Sequence, residues 1–132
     1  MEDIDYSLLP EKLLNKYFPD LDKPKGETII FMQRCKKYSR FSLANDRILV
    51  LSTKNLYLFD PQKHHTTCPI ESLEFIIVSS MSKEFVLKFK DKDFRLNLID
   101  REDFIAYLKM RFANLSPQKG LKYYSVPEKT LQ

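Results

Sequence analysis

The stretch Glu84–Leu98, EFVLKFKDKDFRLNL, leaves little choice of local structure. Phe85, Leu87 and Phe89 alternate with Val86 and Lys88; after the charged run Lys90-Asp91-Lys92-Asp93, Phe94, Leu96 and Leu98 alternate with Arg95 and Asn97. A period of two places all six apolar side chains on one side of extended chain, and the polar run between them is a turn. This is a hairpin with one apolar face, over Glu84–Lys90 and Asp93–Leu98. Immediately afterwards the period changes. Phe104, Ile105, Leu108, Phe112 and Leu115 are spaced by three and four, an amphipathic helix. Asp100 is placed as its N-cap, with Asp103 at the capping-box position and Ile99 set to staple onto Phe104. Ser116-Pro117 ends it.

Five further strand-like runs precede the hairpin: about Thr28–Tyr38, Arg47–Ser52, Asn55–Asp60, a short one at Thr66–Ile70, and Leu73–Ser79. The second is apolar on both faces. A Thr53-Lys54 turn separates it from the third, and Asp60-Pro61 ends the third. Ahead of the strands, Pro10 suits a first helical turn, and Leu13, Leu14, Tyr17 and Phe18 form an apolar stripe that Pro19 stops. The expected organisation is a short N-terminal helix and linker over 1–26, a β-rich domain over 27–115, and a C-terminal tail over 116–132. Seven antiparallel strands with a helix covering an open end make a mainly β, pleckstrin-homology-like barrel or sandwich.

Composition narrows the function. The chain of 132 residues has two glycines, too few for a Gly-rich phosphate loop or a dinucleotide fingerprint. Its formal net charge of +4 is unevenly spread, because residues 31–68 hold seven Lys/Arg and two acids. Such a patch points to an anionic partner. The N-terminus MEDIDYSLLP is acidic and lacks the apolar core of a leader, and no apolar run approaches a membrane span, so a cytoplasmic protein is expected, with its two cysteines reduced.

The runs KKYSRFSLANDRILVLSTKNLYLFD and PIESLEFIIVSSMSKEFVLKFKDKDFRLNLIDREDFIAYL resemble the tail-homology-1 domain of class I myosins. They also resemble the N-terminal PH-like domain of certain protist protein kinases, with Tyr124-Ser125-Val126-Pro127 matching its tail. The resemblance spans roughly residues 27–127 and implies a PH-like fold, acidic-lipid binding in some members, and a cytoskeletal setting. It further implies an anion grip in the first hairpin, where Lys37 takes the late strand-one position, Lys36 and Arg40 flank it, and Arg47 takes the last basic position. Asn45 stands where a second basic residue is expected, and the loop Phe41-Ser42-Leu43-Ala44 is uncharged. One missing charged contact removes about 1.5–3 kcal/mol, or one to two decades of affinity. Arg47 has a plainer role available, pairing with Asp46 or Asp60 at the barrel rim.

Two flanking arms are the other candidates. Leu13, Leu14, Tyr17 and Phe18 either pack on the domain's own barrel or dock into a partner groove, and Tyr123 and Tyr124 present the same choice. His65-x-x-Cys68 is one usable ligand pair, short of a zinc set, so no metal is expected. No nucleophile pattern accompanies the two histidines, so no enzyme activity and no cofactor are expected. Lys36-Lys37-Tyr38-Ser39 resembles a basic-directed phosphorylation site. Nucleic acid finds little support in so small a patch. The incomplete grip and the two apolar arms favour a binding or adaptor module docked on a protein assembly, with recruitment to an anionic membrane as the alternative.

Overall fold

The computed structural model describes residues 4–20, 26–41, 43–60 and 63–131. Eight strands form one sheet: β1 (Ile29–Tyr38), β2 (Ala44–Ser52), β3 (Asn55–Asp60), β4 (Lys63–Pro69), β5 (Leu73–Ser79), β6 (Glu84–Phe89), β7 (Asp93–Asn97) and β8 (Lys122–Val126). Among the described residues two α-helices accompany them, α1 (Glu11–Tyr17) and α2 (Arg101–Leu115). The strand order is β4-β3-β2-β1-β7-β6-β5-β8.

β1 decides how this sheet folds over. It pairs with β2 from Ile29 to Tyr38, but with β7 only at Lys36, Lys37 and Tyr38. The two halves therefore meet at the Tyr38 end and diverge toward Phe31. α2 fills the divergent end, with Phe104 buried 5.4 Å from the Phe31 ring and 5.8 Å from that of Phe85. Leu108 and Phe112 are buried with it, against Leu49, Leu51, Leu87 and Leu96.

The eighth strand is an addition to the seven expected. Lys122–Val126 pairs parallel with β5, matching Ile77 to Tyr124, so the tail that was read as a separate segment extends the sheet. Beyond it, Ser79 and Ser82 donate through their hydroxyls to the carbonyls of Glu128 and Lys129, and Leu131 is buried.

The cap of α2 also differs from expectation. The Asp100 side chain makes no capping bond. Instead its Oδ2 accepts from Gln33 Nε2 at 2.7 Å, while its own N–H donates to Gln33 Oε1 at 3.1 Å. Gln33 competes for the carboxylate and holds the helix start to β1. Ile99 is 77% exposed, so no staple forms with Phe104, which is committed to the main core.

A second core lies on the outer face of β1–β3. Ile48, Val50, Tyr57 and Phe59 point away from the main core and are covered by Leu9, Leu13 and Phe18, with Leu14 and Tyr17 at the margin. Phe18 meets the Tyr57 ring edge-on at 4.9 Å. The apolar stripe of α1 is thus packed on the domain itself, which gives Leu13 and Phe18 an intramolecular role.

Candidate functional site

At the end opposite α2, Lys37 of β1 and His65 of β4 come together with the β6–β7 turn. Strand alternation sorts the basic residues there. Lys36 and Lys37 are neighbours in β1 and face opposite ways. Lys36 points outward and is ion-paired with Asp46, directly across the hairpin. That pair raises the ammonium's pKa and lowers the carboxyl's, by hydrogen bond first and charge second. Lys37 points inward and lines a cavity of about 520 Å3.

His65 of β4 shares that cavity, as do Lys88 and Lys92 around the β6–β7 turn, with the carboxylates Asp91 and Asp93 beside them. Burial holds the His65 imidazole below its usual pKa, and the charges of Arg47 and Lys37 push it further down. Lys92 Nζ donates to Thr66 Oγ1 at 3.0 Å.

Arg47 takes the plainer role. Its Nη1 donates to the Asp46 carbonyl at 2.8 Å and lies 3.9 Å from Asp60 Oδ2, with the side chain 14% exposed. Arg40 is exposed at the hairpin tip. Lys37 and Arg40 both line a second cavity with Tyr38 and Arg95, but of the four basic residues expected to converge only Lys37 lines the cavity of His65. The residues that join it, His65 and Lys92, come from hairpins distant in sequence, and the inward parity of Lys37 was the one signal that could have found the site.

The β1–β2 tip carries a feature that the charge pattern concealed. Phe41 is 78% exposed and Leu43 66% exposed, on either side of position 42 and next to Arg40. Ser39 shapes this tip: its Oγ accepts from the backbone N–H of Phe41 at 3.3 Å and of Leu43 at 3.2 Å, and its own N–H donates to the Leu43 carbonyl at 3.0 Å. A loop read as lacking charge is an apolar prow with cations behind it.

A second surface lies on the outer face of the β8–β1 half. The register aligns Tyr124, Ile77, Val86, Arg95 and Tyr38 in one row across five strands. The Arg95 guanidinium sits 4.3 Å from the Tyr38 ring centroid, and its Nε donates to Glu84 at 2.8 Å. Tyr124 is 47% exposed and meets Phe75 edge-on. Tyr123, on the opposite face, lies under Lys109 of α2 at 3.7 Å.

The metal reading gains nothing from the geometry. His64 stacks on Tyr17 at 4.7 Å, Cys68 is buried, and no group of three or more His, Cys, Asp or Glu able to hold a metal occurs among the described residues. Cys35 is buried too, and burial pushes its thiol up to about 12.

A folded-over sheet plugged at one end by a C-terminal helix is a pleckstrin-homology-like fold, and solved structures agree. The N-terminal PH domain of human ARAP2 superposes with a TM-score of 0.60 at 12% identity, over 68% of this chain and 84% of that one. The C-terminal domain of an unknown protein from Leishmania infantum gives 0.59 at 18% identity, over 77% and 96%. The C-terminal PH domain of pleckstrin, solved with D-myo-Ins(1,2,3,5,6)P5, gives 0.55 at 17% identity, over 64% and 96%. At these identities the likeness establishes the fold alone. The family comes from the sequence: residues 10–124 match the unconventional myosin tail family, described as actin- and lipid-binding, and the chain belongs to it. Comparison with curated proteins returns no match.

Proposed function

We propose that this domain is a peripheral membrane-recruitment module that takes anionic phospholipid at the open end of its barrel. The observation that carries this reading is the β1–β2 tip, where Phe41 and Leu43 stand in solvent beside Arg40, at the end of the hairpin that carries Lys37 of the cup. Exposed apolar side chains at a loop tip cost free energy in water and gain it at an acyl boundary, while the cations behind them are attracted to an anionic surface. The apolar arm Leu13–Phe18, which favoured protein docking in the sequence, is occupied within the domain. The lipid-binding description of the family supports the same reading.

Vesicle sedimentation tests it. Anionic vesicles pull the domain down at low salt, and the bound fraction falls as salt rises. Lys37→Glu abolishes binding. Phe41→Ser with Leu43→Ser weakens it about tenfold or more, since burying each side chain is worth about 1.5–3 kcal/mol when complete. Failure of anionic vesicles to bind at low salt defeats the reading.

Docking on a cytoskeletal protein assembly is a second reading, favoured by the outer row Tyr124–Ile77–Val86–Arg95–Tyr38 and by the family's actin-binding description. Under it, Ile77→Thr with Tyr124→Ala lowers co-sedimentation with filamentous actin and leaves vesicle binding unchanged. Equal pelleting of wild type and variant with actin assigns no role to that row.

A further inference from the structure

The cup at the open end is not simply cationic. Lys88 is occupied, donating to the Phe89 carbonyl at 2.5 Å and the Lys90 carbonyl at 3.3 Å and lying 3.6 Å from Glu74. That leaves Lys37 and Lys92 as the cavity's working ammonium groups, and Lys92 spends only one of its three donors on Thr66. Against them stand Asp91 and Asp93, neither of which has a cationic partner among the described residues. Three lysines, two of them with donors to spare, and two carboxylates share one cavity.

From this we infer that the open end selects a phospholipid headgroup carrying one phosphate together with an ammonium and a carboxylate, that of phosphatidylserine, over headgroups bearing several phosphates. The inference rests on the membrane reading above. A phosphate placed between Lys37 and Lys92 gains charge-assisted hydrogen bonds from both. Its neighbourhood then includes Asp91 and Asp93, where the serine ammonium is attracted and a second phosphate is repelled, the more so as phosphates are added, while the serine carboxylate, on the same carbon as the ammonium, turns to the remaining lysine donors. The acids thus act as the discriminating element.

The test is sedimentation with phosphatidylcholine vesicles containing phosphatidylserine, phosphatidylglycerol or phosphatidylinositol bisphosphate at matched surface charge. Phosphatidylglycerol has the phosphate with neither the ammonium nor the carboxylate, so phosphatidylserine should bind about tenfold more tightly, the worth of one charged hydrogen bond. The bisphosphate should bind no better than phosphatidylserine. Asp91→Asn with Asp93→Asn should bring the serine-to-glycerol ratio close to one and raise binding to the bisphosphate. Asn preserves the turn, and an unchanged melt confirms the fold. Soluble glycerophosphoserine, the same chemistry without a membrane, should displace the domain only weakly; full displacement assigns the site to free phosphoserine compounds and overturns the lipid assignment. Equal binding of the serine and glycerol lipids, or a ratio untouched in the double variant, overturns the selectivity and leaves the membrane reading standing. No binding to any anionic vesicle overturns both.

Discussion

Arg101→Ala should lower stability by about 3–5 kcal/mol, the cost expected when several buried carbonyls lose their donor together. Arg101 opens α2, yet it is 7% exposed. Its Nη1 donates at 2.9 Å to each of three carbonyls, those of Ser79, Ser82 and Glu84, which line the bend between β5 and β6. Its Nε donates to Glu102 at 2.7 Å. Truncation leaves those carbonyls without their donor, and each buried unsatisfied group costs about 1–3 kcal/mol. The bend also seats the tail, because Glu84 Oε1 accepts from the Leu131 N–H at 3.1 Å and Ser79 holds Glu128. The melting temperature should fall by roughly 10–20 °C. Arg101→Lys retains the charge but not the planar fork, and should fall between the two. A denaturant midpoint within error of wild type for Arg101→Ala would mean that other donors, such as water, reach the bend, and the account would fail.

Arg101 illustrates what the sequence conceals. An arginine after an aspartate N-cap reads as an ordinary solvated first turn, and its burial depends on where the β5–β6 bend lands. The same holds for β8. The pentad KYYSV is short, mostly exposed and polar at one end, and its parallel partner lies more than forty positions upstream. By contrast, the β6–β7 hairpin and the α2 stripe were plain, because each carries its own period and buries the face that period predicts. The candidate site was half visible. Lys37 was evident from the basic hairpin, and strand alternation alone separates it from Lys36. His65, Lys92, Asp91 and Asp93 could join it only through the folding-over of the sheet. Phe41 and Leu43 were seen but read as missing charge, although two large apolar residues in a hairpin tip call for a partner on their own account.

Phe18→Ala should cost about 3–5 kcal/mol, the usual toll for a fully buried phenylalanine. Two oddities in the sequence, an apolar N-terminal helix and a second strand apolar on both faces, are one feature in the fold. Leu49 and Leu51 face the main core, while Ile48 and Val50 face α1 together with Tyr57 and Phe59. Phe18 is 3% exposed at the centre of this layer and Leu13 is 7% exposed. Tyr17 closes its edge against Phe59 at 5.5 Å and His64 at 4.7 Å. Deleting residues 1–20 removes the whole cover and should cost more than Phe18→Ala, leaving an apolar sheet face prone to association. Thermal melts of the two variants decide the matter, with light scattering to register association. An unchanged melt for the deletion would mean that α1 is not packed on the sheet in solution. Leu13, Leu14, Tyr17 and Phe18 would then be available to a partner, and the case for protein docking that the membrane reading displaced would be restored.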